Sequence, residues 1–233
     1  MFKPNYKSYI KPNKFFQFLK LIYRNFFLNT NQSPVLVASI GRSGSTLLYD
    51  AVSKSAAKEL NISNERFARS LKCESWDLSK RNKFINGCVY KTHDLPSKHI
   101  NSKKLKMLYV HDKPSNIIIS VNNQTAKEGI NWLEHHLYNL RSKKDPACFL
   151  KEEIFDIKNH LIKWKEHKGA NILFVGYEDL WQRKGDIEEF LGYNVDLPEK
   201  KDRKSTLYCS ASMLKEIREF YKEEDELYER LYA

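Results

Sequence analysis

A turn rich in glycine and serine, GRSGST at residues 41–46, lies between an apolar valine-rich stretch and a helix-like segment. This order forms a phosphate-binding loop, because glycine lets the backbone approach a ligand and the first N–H groups of a helix attract an anion. The Walker A pattern would place lysine where Ser45 stands, so a nucleoside triphosphate is the weaker interpretation. Arg42 is the cation of this turn. An ordinary strand-to-helix connection capped by serine is the alternative.

Lysine and histidine occupy alternate positions in the sequence YKTH, at the end of a second apolar segment. Residues two apart on a strand share a face, so Lys91 and His93 project together where the strand ends. An imidazole can take the proton of an acceptor group near neutral pH, and an ammonium can offset charge that grows on a transferred group. The pair suits group transfer to a hydroxyl. Alone, the pair is more typical of a solvated lysine and a hydrogen-bonded histidine at the end of a strand.

Taken in order, these two segments resemble the P-loop sulfotransferase superfamily. Residues 42–46 are similar to its 5′-phosphosulfate loop. The KTH sequence, followed by Leu95 and Pro96, is similar to the segment that carries the catalytic histidine in cytosolic sulfotransferases. Shorter similarities at residues 177–180 and 227–231 extend the resemblance to the carboxyl end.

A third segment, residues 109–120, looks like the one that binds the 3′-phosphate of the cofactor in this family. Ser120 falls on the serine of that segment, but Asp112 stands where the family has arginine. An acid beside a phosphate would be repulsive. The cation would then come from Lys113 or from the charged loop at residues 200–204; without either, cofactor binding would be weak or activity lost.

The resemblance implies a sulfotransferase that moves a sulfuryl group from 3′-phosphoadenosine 5′-phosphosulfate to an acceptor hydroxyl or amine on a carbohydrate, a lipid or a small molecule. It implies no metal. The residues that it assigns to the cofactor are Gly41, Arg42, Ser43, Gly44, Ser45, Thr46, Lys113, Ser120, Arg203 and Lys204.

Two residues compete for the role of general base. The resemblance makes His93 the first choice, with Lys91 as its electrostatic partner and Arg42 as the group that stabilises the bridging oxygen. Glu65 is the second choice, because some bacterial and carbohydrate sulfotransferases have a glutamate after the first helix. A carboxylate can serve if its surroundings raise its pKa. The sequence leaves this choice, and the identity of the acceptor, open.

Two other functions stay open on the sequence. A kinase-like phosphotransferase would use the same loop, but the Walker lysine and an acid placed to hold magnesium are both missing from the expected positions. A non-catalytic module would keep the nucleotide-binding fold and use the amino-terminal segment to dock on a partner. Asp112 is the residue that supports this second alternative.

The charge balance suits an anionic cofactor. The chain has 233 residues, with 40 basic and 29 acidic side chains and a net charge of +11. Without zinc-finger spacing, internal repeats or interleaved basic and aromatic residues, we expect no nucleic-acid partner. The four cysteines form no C-x-x-C pair, which predicts reduced thiols and a cytoplasmic protein.

Residues 1–33 are predicted to form a separate basic, amphipathic segment. Their apolar part, residues 15–28, is too short and too interrupted by polar residues to span a membrane. A helix here would pack on the domain or on a second subunit in a homodimer, or lie on an anionic bilayer as a peripheral contact. We expect protein packing, because ordinary amphipathic helices are far commoner.

Residues 34–233 are predicted to form one doubly wound α/β domain with a central parallel sheet of four to five strands. Short apolar segments and helical patterns alternate along the chain. Predicted strands after the first lie at residues 87–91, 106–111 and 171–176, and predicted helices at residues 115–127, 132–141, 150–167 and 210–232. We expect Trp132, His135 and His136 to belong to ordinary helix packing, although they are also suited to line an acceptor pocket.

Overall fold

The computed structural model describes residues 30–74, 77–79, 83–98, 100, 104–168, 171–200 and 208–232. The predicted cofactor residues Arg203 and Lys204 and almost all of the predicted amino-terminal segment lie outside these ranges. Within them, no helix is long and apolar enough to cross a bilayer.

Five parallel strands form the sheet, in the order β2-β3-β1-β4-β5. The strands are β1 (Val35–Ala38), β2 (Lys72–Cys73), β3 (Val89–Thr92), β4 (Lys106–His111) and β5 (Asn171–Gly176). Strand β1 is central and pairs with β3 on one side and β4 on the other. The loops that follow these three strands therefore meet at one edge of the sheet, where ligands bind in open α/β folds.

Helices cover both faces of the sheet. They are α1 (Ser45–Glu59), α2 (Glu65–Ser70), α3 (Pro114–Glu128), α4 (Ile130–Asn139), α5 (Ile157–Glu166), α6 (Lys184–Leu191), α7 (Ala211–Phe220) and α8 (Lys222–Tyr232), with a short 3₁₀ helix at Pro146–Cys148. Alternate residues of β1 enter different cores: Leu36 packs with α3, α4 and α5, and Val37 packs with α1 and α6. The prediction of a doubly wound parallel sheet is confirmed.

Helix α8 ties down the start of α3. Ser115 donates its backbone N–H and its hydroxyl to the carboxylate of Asp225, over 2.9 and 2.6 Å. The Lys113 ammonium pairs with Glu229 at 2.5 Å. These contacts satisfy an N–H group at the start of α3, which has no partner within its own helix.

The predicted carboxyl-terminal helix is two helices, so the prediction of one continuous helix was wrong. Tyr221 separates α7 from α8, with φ −100° and ψ 18°. Its ring is buried, which holds the break against the core. Three acids then occupy the first turn of α8, where they favour a new helix start.

The prediction for residues 150–167 was also too long, because the helix begins only at Ile157. Leu150 and Asp156 adopt positive φ angles of 65° and 57°. The carboxylate of Glu153 accepts the backbone N–H groups of Phe155 and Asp156, which diverts them from a helical pattern. Strand β2, only two residues long, was not predicted because it is too short to give a periodic signal.

Candidate functional site

The loop after β1 leaves the first turn of α1 open to an anion. Gly41, Arg42 and Gly44 have φ angles of 95°, 54° and 82°. Gly44 is the N-cap of α1, no side chain among the described residues caps this end, and the first turn contains no acid. The N–H groups that begin α1 therefore face the space in front of the loop, where the helix dipole favours negative charge.

Glycine is required twice in this loop, both by backbone angle and by space. A Cβ atom on Gly41 would lie 2.7 Å from Cε1 of His136, and a Cβ on Gly44 would lie 2.1 Å from Cδ2 of Tyr177. Real Cβ atoms do not approach other heavy atoms so closely. Two aromatic rings thus close over the glycines of the loop.

Two buried serines hold the loop in place. The Ser43 hydroxyl donates to the carbonyl oxygen of Val110 in β4, over 3.0 Å. The Ser39 hydroxyl donates to Oγ of Ser45 over 2.8 Å and accepts the N–H of Gly41 over 3.1 Å. Ser43 was predicted to bind cofactor, but its side chain is fully buried and does not line the cleft. Its backbone N–H is the only group with which it can still contact an anion.

His93 lies next to the same serine. Its Nδ1 is 2.8 Å from the carbonyl oxygen of Ser39 and 3.2 Å from Oγ of Ser39. The carbonyl can only accept, and the Ser39 hydroxyl proton is already donated to Ser45. We therefore assign the imidazole proton to Nδ1, which leaves the lone pair on Nε2. Burial, followed by the charge of Lys91, lowers the pKa of His93 to about 4. The ring is thus neutral near pH 7.

Lys91 reaches the start of α1 from the neighbouring strand. Its Nζ donates to Oγ1 of Thr46 over 2.7 Å. Burial is the main cause that lowers the pKa of Lys91. Nearby acids raise this pKa, and the charges of Arg42 and Lys72 lower it further. This ammonium lies on the β3 side of the loop.

Arg42 lies on the other side of the loop, against α3 and α4. Its Nε donates to Oγ of Ser120 over 3.1 Å, and one terminal nitrogen donates to Oε1 of Gln124 over 3.4 Å. The guanidinium also lies 5.6 Å from the ring centre of Trp132. The loop cation and the predicted 3′-phosphate serine are therefore in direct contact.

Neither member of the pair Asp112–Lys113 lines the cleft. The Asp112 carboxylate is buried, and its Oδ1 accepts the backbone N–H of Lys113 and the side-chain amide of Asn116. The acid thus takes its hydrogen bonds from residues near the start of α3 and does not line the cleft. Lys113 is engaged with Glu229.

The other predicted base, Glu65, is well exposed at the start of α2. Its carboxylate accepts a hydrogen bond from Arg69 over 3.2 Å, and 83 % of its side chain is accessible. It does not line the cleft that contains His93. The structure brings His93, Lys91 and Arg42 together and leaves Glu65 apart from them.

Buried side chains of α5 hold the end of β3. Nε2 of His160 is 3.3 Å from the carbonyl oxygen of His93, and Trp164 donates to the carbonyl oxygen of Asp94 over 3.1 Å. The Asp94 carboxylate accepts the N–H of Leu78 and two hydrogen bonds from Arg141. The backbone that carries His93 is fixed on two sides.

One cleft of about 720 Å³ is lined by residues of the loop and α1, together with Lys91, His93 and Ser120. Trp132 and His136 of α4 line it as well as packing against the core, whereas His135 does not line it. His136 stacks on Trp132, and its buried Nε2 has no hydrogen-bond partner among the described residues. Burial, followed by the charge of nearby groups, lowers the pKa of His136 to about 3.

Sequence reasoning missed Ser39 and Tyr177 as parts of this site. Ser39 follows four apolar strand residues, and a small polar residue at the exit of a central strand is the signal that could have identified it. Tyr177 follows β5 and was assigned to packing, because no local pattern indicates that its ring covers Gly44. In the parts of the chain that the structure describes, no three histidine, cysteine or acidic side chains are grouped as metal ligands would be.

Comparison with known proteins gives one family. The model of the sulfotransferase domain matches residues 32–229. No curated protein gives a significant match to the sequence.

Solved structures with a similar fold include mouse sulfotransferase SULT7A1 complexed with PAP, at 16% identity and a TM-score of 0.48, covering 92% of this chain and 94% of that one. Retinol dehydratase in complex with retinol and PAP gives 14% identity and a TM-score of 0.48, covering 88% of this chain and 85% of that one. Retinol dehydratase with androsterone and inactive cofactor PAP gives 16% identity and a TM-score of 0.44, covering 87% and 68%.

Proposed function

Because this chain belongs to the sulfotransferase family, whose domain spans residues 32–229, we propose that it transfers a sulfuryl group from 3′-phosphoadenosine 5′-phosphosulfate to an acceptor hydroxyl or amine. One observation carries the proposal. The open start of α1 and His93, with its proton fixed on Nδ1, belong to one cleft.

The cleft fits a nucleotide with two anionic groups. Its volume of about 720 Å³ lies within the range of ligand sites in proteins. Gly41 and Gly44 line this cleft, and the rings of His136 and Tyr177 lie directly beside them. Arg42 and Lys91 bring two positive charges, and Tyr177 and Leu47 bring flat and apolar surface suited to a purine base.

When bound, the donor supplies an electrophilic sulfur joined to the 5′-phosphate through an oxygen bridge. His93 Nε2 takes the proton of the acceptor group as the acceptor oxygen or nitrogen bonds to sulfur. Lys91 and the N–H groups that begin α1 offset the negative charge that grows on the departing phosphate oxygen. Ser39 keeps the imidazole in the tautomer that this step requires. Positioning and charge stabilisation do most of the work, as in phosphoryl transfer.

The proposal also covers the class of acceptor, the location of the protein and its state of assembly. The family implies an acceptor with a hydroxyl group. We propose a carbohydrate, a lipid or a small molecule, taken up on the side of the cleft that Trp132 and His136 line. A cytoplasmic location completes the proposal, with residues 1–33 packed on the domain or on a second subunit of a homodimer, and contact of these residues with a membrane surface as the alternative. Co-sedimentation with anionic vesicles and gel filtration of the full chain test the last two.

A kinase-like function is less well supported. The cleft has one acid among its described residues, Glu178, and that carboxylate pairs with Lys200 at 3.1 Å. A non-catalytic docking module was suggested by Asp112. That acid is hydrogen-bonded to Lys113 and Asn116 and does not line the cleft, so this function is also less well supported.

The deciding experiment is calorimetric titration of the full chain with 3′-phosphoadenosine 5′-phosphate and, separately, with ATP and magnesium. We expect binding of the bisphosphate with a dissociation constant in the micromolar range, and no gain from magnesium. His93→Ala serves as the matched variant: it should bind the bisphosphate as the wild type does, but fail to transfer labelled sulfate from the donor to a panel of sugars, phenols and amines. Binding of ATP without binding of the bisphosphate would support the kinase-like function instead.

A further inference from the structure

We propose that His136 binds a second hydroxyl group of the acceptor, beside the hydroxyl that His93 deprotonates. The acceptor is then a compound with hydroxyls on neighbouring carbons, as in a sugar ring or a catechol. This inference rests on the proposed function and narrows its acceptor. The second hydroxyl keeps its proton and is not sulfated, and its hydrogen bond to His136 orients the first.

One nitrogen of His136 is buried at the cleft without a partner in the protein. The side chain is 8 % exposed and lines the cleft. Its Nε2 has no hydrogen-bond partner among the described residues. A buried polar atom that stays unpaired costs free energy, so native structures nearly always pair such atoms. In the described part of the chain, His136 is the residue with such an atom that lines the cleft. A bound molecule can therefore supply the missing partner.

This nitrogen lies beside the proposed base. The ring centres of His136 and His93 are 6.5 Å apart, and the ring planes are inclined at 69°. A Cβ atom on Gly41 would lie 3.3 Å from Nε2 of His136 and 3.7 Å from Cε1 of His93, the carbon bonded to Nε2 in that ring. The two Nε2 atoms therefore border the same space above Gly41. Hydroxyls on neighbouring carbons of one acceptor fit this arrangement.

Packing fixes the direction of the His136 ring. The imidazole stacks on Trp132, with ring centres 5.0 Å apart and planes inclined at 12°, and its centre is 6.1 Å from that of Phe155. A side chain held by such contacts presents its nitrogen in one direction and selects where a partner can lie. The neighbouring His135 differs, because its Nε2 is 3.1 Å from the side-chain amide of Asn139 and the residue does not line the cleft.

A hydroxyl suits this nitrogen better than a charged group. Burial, followed by the charges of nearby groups, lowers the pKa of His136 to about 3, so the ring is neutral. A neutral imidazole nitrogen carries either a proton or a lone pair, and a hydroxyl can pair with both forms. An ammonium or a carboxylate would lose its hydration to reach a buried atom. Arg42 and Lys91 in the same cleft would also repel an ammonium.

The test uses two pairs of acceptors that differ by one hydroxyl: catechol with phenol, and cis-1,2-cyclohexanediol with cyclohexanol. Transfer of labelled sulfate is measured for the wild type and for three variants. His136→Phe keeps an aromatic ring but removes the nitrogen, and His136→Gln restores an amide nitrogen. His135→Phe is the matched control on the same helix. Circular dichroism and calorimetric titration with 3′-phosphoadenosine 5′-phosphate check that each variant folds and binds the nucleotide.

We expect the wild-type kcat/KM for the diol to exceed that for the monohydroxyl compound by about 10- to 100-fold in at least one pair. In His136→Phe this ratio should fall to within about threefold of unity, with the affinity for the bisphosphate unchanged. The ratio compares two acceptors on one variant, so it does not depend on the amount of active protein. His136→Gln should restore part of the preference, and His135→Phe should retain all of it.

Other outcomes separate the inference from the function on which it rests. A wild type that sulfates the monohydroxyl compounds as well as the diols, or that sulfates neither diol, overturns the inference. An equal loss for both members of a pair in His136→Phe overturns it too. If His136→Phe is folded but binds the bisphosphate about tenfold more weakly, His136 belongs to the donor site and the inference is wrong. A wild type that does not bind the bisphosphate refutes the proposed function itself.

Discussion

His93 donates its Nδ1–H to the carbonyl oxygen of Ser39 over 2.8 Å, and so the histidine after β3 is held by the residue that follows β1. The same Ser39 binds the loop through Ser45 and Gly41. One residue therefore joins the phosphate-binding loop to the proposed base. The predictions below follow from this arrangement and from the packing around it.

Replacement of His93 by alanine should lower kcat by about 10²- to 10⁴-fold, because the proton acceptor is lost while the cleft remains. Glu65→Gln should leave kcat within about twofold, since its carboxylate is exposed and pairs with Arg69. Steady-state assays of both variants, with labelled donor and one good acceptor, decide between the two candidate bases. The reverse pattern would make Glu65 the base.

The rate should be constant near neutral pH and fall in acid. Because the pKa of His93 is lowered to about 4, the imidazole can accept a proton at all higher pH values, and kcat/KM should fall as the pH drops toward 4. The Lys91 ammonium contributes to this lowering. Lys91→Met should therefore move the acid limb to higher pH, besides lowering the rate. An unchanged acid limb in Lys91→Met would mean that another group controls it.

The stability of the fold should decrease in mild acid. Burial lowers the pKa of His93 to about 4 and the pKa values of His111, His136 and His160 to about 3, from 6.5. Between these values the unfolded chain binds more protons than the folded one, so the free energy of unfolding falls as the pH drops below 6.5. Each histidine contributes up to about 1.4 kcal/mol per pH unit.

Urea titrations at several pH values measure this slope. His111→Phe removes one of the four groups, and its slope between pH 6 and 5 should be smaller than that of the wild type, whatever its absolute stability. A slope that stays the same in this variant would contradict the assignment of His111 as a neutral, buried group.

Gly44→Ala should abolish nucleotide binding and lower the free energy of unfolding by about 1–3 kcal/mol. The new Cβ would collide with Tyr177, and the alanine would have to adopt a φ of 82°. Gly185→Ala, in α6, is the matched control: its Cβ would meet nothing within 4 Å, so the same substitution should be neutral or stabilising by up to about 1 kcal/mol. Calorimetric titration and thermal unfolding of the pair test both statements.

Asp94→Ala should cost about 2–5 kcal/mol of stability. This buried carboxylate accepts hydrogen bonds from Arg141 and from the backbone of Leu78. Its loss leaves the N–H of Leu78 without this acceptor and leaves Arg141 with its ion pair to Asp77. Lys58→Ala breaks an exposed ion pair with Asp196 and should cost less than about 0.5 kcal/mol. Chemical denaturation compares the two, and similar losses would mean that the burial of Asp94 is unimportant.

Much of the scaffold could be read from local patterns, because strands β4 and β5 are short apolar runs bounded by turns. The loop was recognisable from the glycines at positions 41 and 44. The helices were harder, since Tyr221 ends α7 through burial of its own ring, a tertiary effect that periodicity does not contain. Glu153 likewise shortens α5 by a side-chain contact that competes with helix formation.

For the site, the sequence indicated which residues take part, but not which side chains they contact. Arg42 contacts Ser120, which lies 78 residues later in the sequence, and its guanidinium lies over the ring of Trp132. Asp112 was expected to face the cofactor, but Asn116, one turn later, gives it a hydrogen bond inside the protein. Contacts of this kind are decided by packing between elements distant in sequence.

The hydrogen bonds between Ser115 at the start of α3 and Asp225 in α8 can form only late in translation. A chain synthesised only as far as Gly192 already contains all five strands, yet it lacks Asp225, the acceptor for the N–H and hydroxyl of Ser115. Helix α3, which carries Ser120, gains these hydrogen bonds at its start only after Asp225 has been synthesised. All five strands are therefore synthesised before the residue that completes the hydrogen bonding at the start of α3.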